Sequence, residues 1–309
     1  TLLKALKPTD DPRQAELSVK ILSAAPELVS AYLPHSGLTL DPPRLSLKWL
    51  ANIGYMSGVI GGGKIPEASW VLGGEKHEEG SAESEKVYRP TPPPLSTIVN
   101  NVVPGGGPSR LNMRNVFTKG LQFTVASKTK GEKGESAPAT SGNLVQHTTA
   151  LALIRCLEKL GRVRGAMEGV AKALGEGEGG LFFQHQPNEE GFSLDNFQKE
   201  GLWTKRVREV VKEVRKRVPE FQVVLAFCTA HLKTSDTASP AQAEAAGEGD
   251  QIKKSLLAEC SMRLLWMYQE ALPEVVEEAR FDVGKVLVGL EIESEATDAY
   301  HYEDADAEE

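Results

Sequence analysis

Apolar positions recur at helical intervals through most of the chain, and punctuation typical of helices separates them. Val207, Val210, Val211, Val214 and Val218 fall at i, i+3, i+4, i+7 and i+11, the stripe of an amphipathic helix. Leu151, Leu153, Ile154, Leu157, Leu160 and Val163 predict a long helix from Leu144 to about Leu174. Leu45, Leu47, Leu50, Ile53, Met56 and Val59 predict an apolar face over 43–60. Asp11-Pro12 and Asp41-Pro42 each place a capping carboxylate before a proline suited to the first helical position. Pro26 predicts a second short helix directly after the first. Pro219 opens a helix through Phe221, Val224, Leu225 and Cys228, and further helices are expected over Ile252–Gln269 and Glu274–Leu290. Sustained strand alternation is nearly absent; Phe221–Phe227 is the best strand candidate and reads equally well as buried helix.

Polar, low-complexity stretches lie between the helices, at Gly73–Glu85, Ser127–Gly142, Gly175–Gly180 and Thr234–Gly249. They hold too few apolar residues to offset ordering entropy, so they are expected to be long flexible loops. Consecutive helices without strands leave a compact bundle or an α-solenoid. The length and succession of helices favour an all-α solenoid of armadillo/HEAT-like repeats, although no crisp repeat recurs. Residues 1–290 are expected to form this domain and 291–309 an acidic tail. Thr1 opens inside a helical pattern, which predicts a fragment of a longer chain.

Charge refines this picture. The 309 residues carry 43 Asp and Glu against 35 Lys and Arg, a net −8. Nine of those carboxylates lie in 291–309, a segment with no Lys or Arg, so residues 1–290 sum to about +1. Within that near-neutral body, Lys205, Arg206, Arg208, Lys212, Arg215, Lys216 and Arg217 face only Glu209 and Glu213, a net +5 over thirteen residues. Such a face can contact phosphates through counterion release. The solvated outside of a surface helix is the plainer reading, since no aromatic platform is interleaved for base stacking.

Other candidate chemistry is thin. Gly58-Val59-Ile60-Gly61-Gly62-Gly63-Lys64 satisfies the spacing of a phosphate-binding loop, but Ile65 stands where a magnesium-binding hydroxyl belongs. The segment before it reads as a helix, so the glycines read as a helix stop. Cys228 and His231 have ligand-like spacing without a second pair, and zinc needs four ligands. His147 reads as a surface or core residue; His35, His77, His185 and His301 join no motif. Cys156, Cys228 and Cys260 are too sparse for a disulfide framework and favour a reducing compartment. The apolar runs are too short for a membrane span. No enzyme and no cofactor is expected. Trp49 and Trp266 are expected in the core.

Several phrases resemble one family. They are Asp41-Pro42-Pro43-Arg44-Leu45-Ser46-Leu47-Lys48-Trp49-Leu50-Ala51-Asn52, Pro93-Pro94-Leu95-Ser96-Thr97-Ile98-Val99 with Pro104, and Asn115-Val116-Phe117-Thr118-Lys119-Gly120-Leu121. Val145–Leu160, Leu272-Pro273 and Arg280–Leu287 continue the series in order. Together they resemble the N-terminal domain of the nucleolar pre-ribosomal-associated protein 1 family. That resemblance implies a non-enzymatic helical-repeat scaffold of the nucleolus, in early assembly of the large ribosomal subunit. It also implies association with pre-ribosomal RNA, small nucleolar RNA and other assembly factors, including a DEAD-box RNA helicase. Trp49 with Leu45 is expected to fill a groove, and Phe281 with Val283 to anchor a terminal helix. Arg44, Lys48, Lys119 and Lys285 are expected to bridge the framework or touch RNA. The alternative is a helical adaptor for protein partners without RNA contact.

Overall fold

The computed structural model describes residues 2–62, 64–74, 86–105, 111–124, 140–176, 201–232 and 248–280. Among them run eleven α-helices and one two-stranded ribbon. The helices are α1 (Leu2–Ala5), α2 (Pro12–Ala24), α3 (Val29–Tyr32), α4 (Leu47–Gly62), α5 (Leu95–Val102) and α6 (Met113–Leu121). They continue with α7 (Thr140–Ala173), α8 (Leu202–Arg217), α9 (Phe221–Leu232), α10 (Glu248–Ala271) and α11 (Pro273–Glu278). The all-α expectation therefore holds, and Phe221–Phe227 is helical. The acidic stretch 291–309, the Phe281–Leu287 phrase with Lys285, His77, His185 and His301 lie outside the described residues. So does most of each low-complexity stretch.

The architecture is organised by α7. Its buried residues include Thr149, Ala150, Ala152, Leu153, Ile154, Cys156, Leu157, Lys159, Leu160 and Val163. At 100° per residue they cover well over half of the helix circumference, so neighbours are required on several sides. Helices α4, α6, α8 and α10 supply them, with a smaller contribution from α5. Helix α10 also packs on α9 and α11, while α2 lies against α4 and α3 against α5. In a solenoid each unit touches only its neighbours along the chain. Here α7 touches α4 and α10, three helices away in each direction, which places it at the centre of the described helices.

Close contacts fix that placement. Gly120 of α6 presses against α7: a Cβ built there would lie 2.4 Å from Thr149 Oγ1. Thr149 is buried and hydrogen-bonds the Val145 carbonyl at 2.6 Å. Lys159, only 1% exposed, donates from Nζ to the Lys64 carbonyl at 2.8 Å, just past the end of α4. A cation suits the carbonyl-rich end of a helix, but burial drives the Lys159 pKa down to about 8, with Arg162 adding to the effect. Asn101 of α5 donates to the Pro26 carbonyl at 2.8 Å. Tyr268 of α10 donates to the Pro219 carbonyl at 3.0 Å, at the turn between α8 and α9.

Local expectations divide. Asp11 caps α2, accepting from the Arg13 N–H with Pro12 at the first turn. Pro26 opens a 3-10 turn that runs into α3. Asp41-Pro42 does not cap α4. Pro43 disfavours helical geometry at residue 42, and the Asp41-Pro42 bond is cis. The helix starts at Leu47, with Ser46 Oγ accepting from the Trp49 N–H at 3.3 Å. Leu45 and Leu47 are consequently exposed, Leu47 to 87% and Leu45 to 44%, so Leu45 is not the buried groove-filler expected. Trp49 is buried and donates from Nε1 to the Leu40 carbonyl at 2.8 Å. Trp266 is not core: it is 63% exposed. The buried stripe of α10 runs through Leu257, Cys260, Leu264 and Tyr268, and Trp266 sits 200° round from Leu264. The ribbon β1 (Val71–Gly74) with β2 (Lys86–Tyr88) is too short to show alternation.

Two outcomes test this packing. Gly120→Ala drives a methyl into Thr149, so it is expected to lower unfolding free energy by about 1–3 kcal/mol in urea titration. Unfolding of the chain leaves Lys159 protonated up to about pH 10.5, while the folded chain releases the proton near 8. Stability from this group therefore rises with pH across that window. Relative to Lys159→Met, the native chain is expected to gain about 2–3 kcal/mol between pH 8 and 10.5 in denaturant titrations.

Candidate nucleic-acid interface

The basic candidates sit on α8 because its apolar stripe faces inward. Trp203, Val207, Val210 and Val214 are buried, and Val218 closes the stripe just past the helix end. Trp203 meets Trp70 edge-on at 5.6 Å and donates from Nε1 to the Arg89 carbonyl at 3.0 Å. The helix begins at Gly201 without a capping side chain of its own. Glu176, beyond the end of α7, takes that part by accepting from the N–H groups of Trp203 and Thr204 at 3.0 and 2.9 Å. A carboxylate there satisfies otherwise orphaned donors and complements the helix dipole. Gly201 permits the approach, since a Cβ would fall 2.1 Å from Glu176.

The seven cations do not form one face. Arg206 and Arg217, three turns apart, flank the valine stripe and hold α8 against the α5 region. Arg206 bonds Glu209 at 2.9 Å and the Pro93 carbonyl. Arg217 Nη1 donates to Asn100 Oδ1 at 2.6 Å and to the Val103 carbonyl at 2.7 Å, and burial lowers its pKa. The other five point outward. Arg215 forms a two-point pair with Glu278 of α11, which raises its own pKa and lowers that of the carboxyl. Lys216 pairs with Glu213. Arg208 is exposed and engaged within the chain. Lys205 and Lys212 are exposed, and neither pairs with a described residue.

An open cleft of about 560 Å³ lies where the end of α8, the start of α9 and α11 meet. Arg114, Lys212, Arg215 and Lys216 line it with Glu220 and Glu278, over apolar Val218, Phe221 and Val275. Arg114 pairs with Glu220. Sequence reasoning missed Arg114 because it lies on α6, about a hundred residues before α8, in no charged run. Arg114, Arg215 and Lys216 are each paired with a carboxylate, and Lys212 is the lining cation with no described partner.

The remaining candidates have structural settings. Gly58–Gly62 lie inside the last turns of α4, in agreement with the helix-stop reading; Gly63 is outside the described residues. Cys228 is buried with Sγ 3.3 Å from the Ser261 carbonyl, and burial raises its pKa to about 12. His231 stacks edge-on against Phe227 at 4.8 Å. His147 is half-buried on α7, its pKa lowered by desolvation. Lys119 bridges to Asp41 at 3.0 Å, whereas Arg44 and Lys48 are exposed. No helix among the described residues is long and apolar enough to cross a membrane.

The split between inward and outward cations is measurable. Arg217→Met removes two charge-assisted bonds from a half-buried site and is expected to cost about 2–4 kcal/mol of unfolding free energy. Lys212→Gln is expected to stay within about 0.5 kcal/mol. Chemical denaturation of both variants checks the contrast.

No match is found among curated proteins or among solved structures. A family model does match, over residues 1–52, which run from α1 into α4 and include the Asp41–Asn52 phrase. The family implies a role in 60S ribosome biogenesis, and it is the one that the sequence phrases resemble. Residues 1–52, 52 of the 309, match the family model described as Npa1, ribosome 60S biogenesis N-terminal, so this part of the chain is similar to that family.

Proposed function

We propose that this chain is a non-enzymatic helical scaffold acting in early nucleolar assembly of the large ribosomal subunit. The observation that carries the reading is the family match over residues 1–52. In this reading the helices gathered on α7 present surfaces to other assembly factors, a DEAD-box RNA helicase among them. Pre-ribosomal RNA or small nucleolar RNA is met by the outward cations of α8, namely Lys205, Arg208, Lys212, Arg215 and Lys216. Arg206 and Arg217 contribute by holding that helix in place. The armadillo/HEAT-like repeat architecture is part of this reading and is supported by the mostly helical structure.

A second reading is an adaptor for proteins alone. It is favoured by the engagement of Arg206, Arg215, Lys216 and Arg217 within the fold.

Salt titration separates the two. With a single-stranded ribosomal precursor fragment, log K is expected to fall linearly with log salt concentration. The triple variant Lys205→Gln, Lys212→Gln and Lys216→Gln is expected to flatten the slope by about 2, at ~0.7 per lost phosphate contact. An unchanged slope, or no RNA binding with assembly factors still captured from cells, supports the protein adaptor.

A further inference from the structure

The charge distribution brings two features of this one chain together. The cleft at α8, α9 and α11 has a charged rim over an apolar floor, with Arg114, Arg215 and Lys216 paired to Glu220, Glu278 and Glu213 and Lys212 left as the one cation with no described partner. The described chain ends at Arg280, next to Ala279, which itself lines the cleft. Eleven residues further on begins the segment 291–309, with nine carboxylates, no Lys or Arg, and tyrosines at 300 and 302. We propose that the acidic segment 291–309 docks in this cleft, where it competes with any external polyanion.

Geometry and charge both support the match. Ten intervening residues reach up to about 35 Å, enough to bring residue 291 to any part of the cleft rim. The rim cations are held by exposed pairs, Arg114 with Glu220, Arg215 with Glu278 and Lys216 with Glu213. The single-point pairs of Arg114 and Lys216 are individually weak, so they exchange partners at little cost. The two-point Arg215–Glu278 pair stays in place, and Lys212 has no described partner to give up. The tyrosines suit an apolar floor beneath a wet, charged rim. Tethering supplies an effective concentration of about 1 mM. A contact with a dissociation constant of about 100 μM in trans would then be about nine-tenths occupied in cis.

The docking rests on the preceding functional reading only for the identity of the competitor, and its test can be read without RNA. The test uses the full chain, and a second full chain in which the nine carboxylates of 291–309 are replaced by Asn or Gln. Each is titrated against a fluorescent peptide of sequence 291–309, followed by anisotropy at low and moderate salt. The peptide is expected to bind the neutralised chain about tenfold more tightly than the native chain, more weakly as salt rises. Adding Arg114→Gln, Lys212→Gln and Lys216→Gln to the neutralised chain is expected to weaken binding about tenfold. Thermal unfolding of each variant verifies that the fold persists. Equal binding to native and neutralised chains overturns the proposal, as does binding to neither, or binding indifferent to the cleft substitutions. A labelled twenty-nucleotide polyuridylate is run in parallel. Its failure to bind either chain, with the peptide behaving as expected, sinks the RNA reading and leaves the docking standing.

Discussion

The burial of α7 is the constraint on which the rest of the structure depends. A helix that removes well over half of its circumference from water cannot be served by one neighbour on each side. It needs helices from both directions along the chain, and α4, α6, α8 and α10 meet that need. Close approach then becomes a requirement on particular residues. Gly120 is small because Thr149 stands opposite it. Lys159 must bury an ammonium, so it has to find a carbonyl at the end of α4. A buried amine without such an acceptor would cost more than the packing around it returns.

The family-like phrases acquire physical content from this frame. In Asp41–Asn52, Trp49 and Asn52 bond the Leu40 and Thr39 carbonyls and so fix the entry into α4. In Pro93–Val99 and the residues after it, Asn100 and Asn101 tie α5 to Arg217 on one side and to Pro26 on the other. In Asn115–Leu121, Lys119 reaches Asp41 and Gly120 reaches α7. These are joints between elements distant in sequence.

Much of this was legible where periodicity and punctuation act locally. The valine stripe placed the inner face of α8, and the same 100° step separates Arg206 and Arg217 from the outward cations. Asp11-Pro12 and Pro26 were readable because capping involves only adjacent residues. What failed depends on partners far along the chain. Trp266 has the chemistry of a core residue but occupies the side of α10 turned away from α7 and α9. Leu45 and Leu47 fit a helical face only if the helix begins at Pro42, and the second proline forbids that. The capping of α8 by Glu176 joins positions 27 residues apart, and Arg114 reaches the cleft from α6. No local pattern encodes either of these.

The electrostatics divide the cations of a body of nearly zero net charge into two kinds. Cations spent on structure and cations held in reserve differ here in burial, not in residue type. Arg217 is half-buried and bonded to backbone and amide oxygens, so it cannot leave without exposing unsatisfied acceptors. Lys212 and Lys216 are solvated, and their pairing changes with whatever anion is nearest. Fixed cations orient α8, and reserve cations on the same helix then sit at defined positions without being committed to a fixed partner. A polyanion can be accepted at such a site without disturbing the core, because the interactions it displaces contribute little to folding. The rigidity that α7 enforces and the exchangeable charge at the rim are therefore separable properties of one sequence, and each can be altered without the other.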